Sequence, residues 1–214
     1  VVELCKTRLP DHMGIPADQI QVLSPTRRRT TGTKALNQAL QAALNPPSEE
    51  KGERRFGDTL FREGDRVMQV KNNYDILWRE EGGTASGMGM FNGDIGVIRT
   101  VDKEVVLVDF DGKLVEYTPD MLGELEPAFA ITVHKAQGSE YRAVILAVCE
   151  GAPMLLTRGV LYTAITRAKS LFIVVGDDGA VARMVSNNRQ ARRYSGLRAR
   201  LAGELEGHGE TALP

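Results

Sequence analysis

The stretch Pro127–Gly176 reads PAFAITVHKAQGSEYRAVILAVCEGAPMLLTRGVLYTAITRAKSLFIVVG, and its pattern decides the fold. Ala130–Glu140 passes from an apolar alternation into the polar turn Gln137-Gly138-Ser139-Glu140. Leu161–Lys169 is a helical run ending in the cations Arg167 and Lys169, just before the apolar strand Leu171–Val175. Strand, turn, strand, helix, strand is the order of an α/β fold. A Gly-Ser-Glu turn released at the carboxyl edge of such a sheet stands where ligands bind. Gly138 permits close approach to the backbone. Glu140 can accept from ribose hydroxyls, and Arg167 offers a planar, permanently charged fork for phosphate.

A chain of 214 residues buries one good core, or one core and a small satellite. Hydrophobic residues make up 42% and charged residues 26%, the balance of an ordinary globular protein. No apolar run is long enough to span a bilayer and no signal peptide opens the chain, so no membrane partner is expected. Cys5 and Cys149 make no metal spacing and suit a reducing, cytoplasmic setting. With 27 basic and 28 acidic residues the net charge is −1, which argues against a protein wrapped all over in nucleic acid. A local cationic track remains open, and Arg27-Arg28-Arg29 is one candidate. The chain holds no G-x-x-x-x-G-K-[ST], so a complete ATP site is not expected. It reads as a piece whose partner domain lies elsewhere.

Residues 1–19 carry a weak pattern broken by Pro10, Gly14 and Pro16. Ile20–Ser24 reads as a buried strand. Thr30 or Thr31 is placed to cap a helix over 32–44, with Ala35, Leu36, Ala39, Leu40, Ala43 and Leu44 on one face and Asn45-Pro46-Pro47 stopping it. Residues 48–57 read as an exposed loop and 80–89 as a mobile, Gly-rich one. Short strands follow at 95–98, 105–110 and 114–117, with Asn92-Gly93 and Asp111-Gly112 marking turns. From Ala128 the α/β pattern resumes, with a strand at 143–148, a helix over about 154–168, a strand at 171–175 and a helix at 179–186. A terminal helix is expected at 190–205.

The segments TVHKAQGSE and LYTAITRAK, in this order with a strand between, closely resemble motifs V and VI of superfamily 1 helicases, in the RecD-like branch. The resemblance runs from about Ile20 to about Leu201. It implies ATP-driven translocation along single-stranded DNA, with this chain as the second RecA-like motor domain. The implied fold is α/β, a RecA-like, P-loop NTPase-type domain lacking its own P-loop, with an inserted small SH3-like β-barrel. Residues 1–72 and 127–206 would form the motor domain, 73–126 the barrel and 207–214 a disordered tail. ATP with Mg²⁺ would bind in a cleft with the missing N-terminal RecA-like domain of the same polypeptide, which would supply the phosphate-loop lysine and the metal carboxylate.

By the same resemblance, Arg167 reaches the γ-phosphate, and such fingers change turnover by roughly 10³–10⁵. A helix-end arginine favoured by the dipole is the competing reading. Gly138 and Glu140 match the nucleotide contacts of motif V, and Gln137 stands in the same turn. An ordinary surface turn competes. Thr132, His134 and Lys135 belong to the DNA side, where phosphates are held without reading bases. A satisfied core histidine competes for His134. Arg28, with Arg27 next, follows the strand resembling motif IV, where the family places a second phosphate cation; a solvated charge run competes. Asn72 and Tyr74, in Lys71-Asn72-Asn73-Tyr74, recur with Asn92-Gly93-Asp94 as RecD-like patterns that could meet DNA. Tyr74, Trp78, Phe91, Phe110 and Tyr117 could stack bases, although a small barrel needs most of its aromatics for its core. A stand-alone nucleic-acid-binding adaptor and the motor part of a conjugative relaxase–helicase are the alternative functions. The isolated chain is expected not to hydrolyse ATP.

Overall fold

The computed structural model describes residues 1–149 and 154–188; the expected terminal helix and tail lie outside them. Among the described residues the strands form a parallel sheet of four, an antiparallel sheet of seven and a two-stranded hairpin. The parallel sheet is built from β1 (Ile20–Ser24), β11 (Ala130–Thr132), β12 (Tyr141–Val148) and β13 (Ala168–Gly176), in the order β11-β1-β12-β13. All five residues of β1 are buried, as are 143–148 of β12. A parallel sheet covered on both faces requires such continuous apolar runs.

Alternate strand residues feed two cores. Leu23, Val144 and Leu146 pack with Val160, Ala164, Ala180 and Met184, which come from α3 (Arg158–Ile165) and α4 (Asp178–Ser186). Val22, Ile145 and Ala147 pack instead with Leu36 and Leu40 of α2 (Thr33–Leu44) and with Cys5, Leu9 and Ile15. Cys5 and Leu9 belong to a helical opening, Leu4–Arg8 running into α1 (Leu9–Met13), and Ile15 follows it, where the sequence showed little but breakers. Gly14, at φ +59°, ends it. Thr157 and Asp177 cap α3 and α4 by accepting from the main-chain N–H groups of Val160 and Gly179.

The antiparallel sheet takes the order β10-β4-β7-β8-β9-β5-β6. Its strands are β4 (Arg66–Gln69), β5 (Asn73–Glu80), β6 (Ser86–Met90), β7 (Ile95–Val101), β8 (Val106–Phe110), β9 (Lys113–Tyr117) and β10 (Leu125–Pro127). It therefore draws in β4, which precedes residue 73. The Asp111-Gly112 turn has both residues at positive φ, 51° and 87°, as a tight hairpin demands. Two expected loops are instead hairpins. β2 (Glu53–Phe56) pairs with β3 (Thr59–Arg62) about Gly57, and β5 pairs with β6 through the supposed mobile loop. The glycines there serve packing: a Cβ on Gly87 would come within 2.6 Å of the Trp78 ring.

α2 joins the two sheets. Its apolar side meets the parallel sheet, while Asn37, Gln41 and Asn45, spaced by four, turn polar groups towards the chain that leaves and re-enters. Asn37 Nδ2 donates to Pro127 O and Ala130 O at 3.1 and 2.8 Å, and its Oδ1 accepts from Ala130 N at 2.7 Å. Gln41 and Asn45 both donate to the buried Asp65 carboxylate, which also accepts from Arg62 N. Burial pushes the Asp65 carboxyl up, and those three donors pull against it. Asn37→Ala leaves three main-chain groups of the β10–β11 junction unsatisfied. A loss of about 3 kcal/mol in urea unfolding is expected, with a lesser loss for Asn37→Asp.

Candidate functional site

The turn after β11 starts at one edge of the parallel sheet and finishes at the other. β11 is only three residues long, level with the end of β1 through Ser24↔Thr132. The chain then winds back through turn bonds, Ala136 N to Thr132 O and Ser139 N to Ala136 O, and enters β12 at its amino end. Gly138, Ser139 and Glu140 thus stand at the amino edge, not at the carboxyl edge expected from the sequence. About 20 Å separates them from Thr132 along the strand direction.

Arg167 lies at this amino edge, just before β13. Its Nη1 donates to Ser139 O at 3.0 Å, its Nη2 donates to Thr166 Oγ1 at 3.2 Å, and its carbonyl accepts from Tyr141 N at 2.8 Å. Its Nε is buried with no partner among the described residues. The β12–β13 register slips beside it: Tyr141 faces Ala168 but Ala143 faces Leu171. Such bulges re-aim neighbouring side chains. Glu140 is exposed, 3.5 Å from Lys169 Nζ in an open pair of little energetic weight. Gly138 has φ +92°, and a Cβ there would meet nothing within 4 Å. The glycine serves the left-handed backbone, and the space above it is open. Gln137 is exposed in the same turn. Arg167, Gly138, Gln137 and Glu140 are therefore brought together.

Arg27, Arg28, Thr132 and Lys135 gather at the opposite edge, around a cleft of about 670 Å³. Arg27 and Arg28 are held in place by α2. The expected cap from Thr30 or Thr31 is absent: Gly32 is the N-cap, and Thr33 N and Lys34 N donate to Thr26 O and Arg27 O. The arginine loop fills the helix end with its own carbonyls, and Gly32 is needed because a Cβ would lie 2.2 Å from Arg28 O. Glu126, in the middle of β10, accepts from both Arg27 and Lys135, the latter at 2.9 Å. Burial alone would raise its carboxyl; Lys135 and Arg27 outweigh that and hold it below the usual range.

Two family models match the chain. The one describing the SH3 domain of ATP-dependent RecD-like DNA helicases covers residues 36–110, and the one describing the UvrD-like helicase C-terminal domain covers residues 127–175. An ATP-dependent RecD2 DNA helicase of Deinococcus radiodurans is 36% identical over 81% of this chain and 22% of its own. The RecBCD enzyme subunit RecD of Mycobacterium tuberculosis is 33% identical over 86% of this chain and 29% of its own. The chain belongs to the C-terminal region of RecD-like superfamily 1 helicases. It spans less than a third of the length of these relatives. The fold agrees: a Bacteroides Pif1 solved with ADP-AlF3 and single-stranded DNA superposes at TM-score 0.53, with 17% identity, over 94% of this chain and 49% of that one. Another Bacteroides Pif1, bound to single-stranded DNA, gives 0.51 with 17% identity over 86% and 46%. The parallel α/β part, which carries the match to the UvrD-like helicase C-terminal domain, shares the RecA-like fold of these structures.

Other residues of this RecD-like region fall away from both clusters. His134 is exposed, so it is no core histidine. Asn72 and Tyr74 are exposed at the antiparallel sheet, where Asn72 Oδ1 accepts from Asn92 N at 2.9 Å and shapes that turn. Tyr74, 64% exposed, meets the edge of Phe91 at 5.7 Å. Phe110 and Tyr117 are core residues, and Trp78 lies half-buried between Gly87 and Lys113 Nζ. Sequence reasoning missed Glu126, Lys34 and Arg55, which share the cleft with Arg27 and Lys135; nothing in their local pattern distinguished them.

The Glu126 pairing carries a sign. A carboxyl depressed by folding contributes stability above its unfolded value and loses it as pH falls through the folded one. NMR titration of Glu126 should give a midpoint below the ordinary carboxylate range. In an Arg27→Ala, Lys135→Ala variant only burial remains, and the midpoint should move above that range.

Proposed function

We propose that this chain is the second RecA-like motor domain of an ATP-dependent DNA helicase, with an SH3-like barrel inserted at about 73–126 between the motor parts 1–72 and 127–206. The observation that carries the reading is the amino-edge cluster. An arginine with an orphaned buried Nε stands beside an exposed carboxylate and a glycine turn with open space above it. That donor set fits a nucleotide entering from outside the chain. Arg167 would stabilise charge on the transferring phosphoryl group, Glu140 would hold the ribose, and Gly138 and Gln137 would line the turn. Among the described residues no three His, Cys, Asp or Glu side chains group to hold a metal ion. Mg²⁺ and the phosphate loop would therefore come with a first motor domain, together with ATP, which supplies the phosphoryl chemistry.

Thr132, His134, Lys135, Arg27 and Arg28 would hold single-stranded DNA at the other edge. Arg28 and Arg27 are better placed for strand phosphates than for the nucleotide, because they share a cleft with Lys135 and not with Arg167. Asn72 and Tyr74 would touch the strand from the insert. Opening and closing of a cleft at the amino edge would then change the grip at the carboxyl edge through the β11–β12 crossover. No described helix is long and apolar enough to cross a membrane, and a cytoplasmic setting suits a DNA motor.

Two assays test this. In the complete enzyme, Arg167→Ala should lower DNA-stimulated ATP hydrolysis by about 10³-fold or more while strand affinity stays within about threefold; unchanged turnover overturns the reading. The 214-residue chain alone should show no ATP hydrolysis, and measurable turnover would mean that it holds a nucleotide site of its own.

A further inference from the structure

We propose that Glu126 is a built-in counter-anion in the cleft between α2, the β2–β3 hairpin and β11, competing with strand phosphates for Arg27 and Lys135. The inference rests on the strand-gripping role assigned above to Lys135 and the Arg27-Arg28 pair, and adds a second wall and a competitor. Five cations line the cleft from separate segments: Arg27 and Arg28 after β1, Lys34 on α2, Arg55 on β2 and Lys135 after β11. In a chain of net charge −1 this is a local concentration of positive charge. The lining includes no aromatic side chain, so the cleft suits backbone phosphates and offers bases nothing to stack on.

Three of the five cations are neutralised from within. Glu126 bonds Arg27 and Lys135 with its two oxygens, and Asp58 bonds Lys34 at 2.9 Å. No hydrogen bond or ion pair among the described residues engages the guanidinium of Arg28 or Arg55. Lys34 and Asp58 are well exposed, so that pair opens at little cost. Glu126 is different. It is half-buried and stands on β10, whose backbone pairs with Met68, and its two oxygens engage two cations at once, so it is held beside them more firmly than the exposed Asp58 beside Lys34. A phosphate reaching Arg27 and Lys135 must share them with this carboxylate, which occupies the place a phosphate oxygen would take.

The test measures binding of a fluorescein-labelled twenty-nucleotide oligo-dT to the complete enzyme across a salt series. Each phosphate neutralised on a single strand contributes about −0.7 to the slope of log K against log salt. Glu126→Gln adds one net positive charge to the cleft. It should tighten binding about three- to tenfold at low salt and steepen the slope by about 0.7. Arg55→Ala, at an exposed position of that hairpin, should make the slope shallower by about the same amount. Unaltered slope and affinity in both variants overturn the proposal. If Glu126→Gln does not fold, Glu126→Asp, which keeps the charge but shortens its reach to Arg27 and Lys135, takes its place and should tighten binding in the same direction; unchanged affinity there overturns the proposal. A wild-type enzyme that binds no oligo-dT would instead sink the strand-gripping reading on which this rests.

Discussion

The architecture depends on one helix with two incompatible-looking faces. α2 presents Leu36 and Leu40 to the parallel sheet and Asn37, Gln41 and Asn45 to the chain that departs into the antiparallel sheet and returns. A buried amide is costly unless its donors and acceptors are met. Asn37 meets that demand by bonding both sides of Ala130, which fixes the re-entry point of the chain to within a hydrogen bond. Because Ala130 opens β11, the same bonds set where the crossover towards Glu140 begins. Asp65 extends the arrangement: a buried carboxylate with three donors ties the departing chain to the far end of the same helix. Exit and return are thus referred to a single rigid element.

From that reference follows the separation of the two chemistries. The short β11 ends level with β1, so Thr132 and Lys135 meet the arginine loop, which α2 itself holds through Thr33 N and Lys34 N. Eight residues later the chain reaches the amino end of β12 beside Arg167. One continuous turn of chain therefore touches both edges.

Much of this was legible in the sequence, for identifiable reasons. The buried parallel strands announced themselves because burial on both faces leaves no polar positions, as in Ile20–Ser24 and Ala143–Val148. The Asp111-Gly112 hairpin was legible because only such residues tolerate its backbone. What was not legible depended on partners distant in the chain. Asn37 and Gln41 read as ordinary surface residues of an amphipathic helix until their carbonyl and carboxylate partners are in place. The Gly-rich 80–89 segment read as a loop because its glycines make room for Trp78, a reason that exists only in three dimensions. The amino-edge cluster was read from the sequence at the wrong end of the sheet: Glu140 follows a strand in sequence, yet a crossover of turns carries it to the opposite edge.

Glu126 shows why that geometry matters. It closes the antiparallel sheet as part of β10, and through its carboxylate it touches the two cations that follow β1 and β11. One residue thus belongs to the antiparallel sheet by its backbone and reaches the cations at the edge of the parallel sheet by its side chain. Burial disfavours its charge, and the two cations outweigh that and hold its carboxyl below the usual range. In the role proposed for it, drawing Arg27 and Lys135 towards a phosphate would leave this carboxylate in surroundings that penalise its charge, and that penalty is what occupancy of the cleft would have to offset.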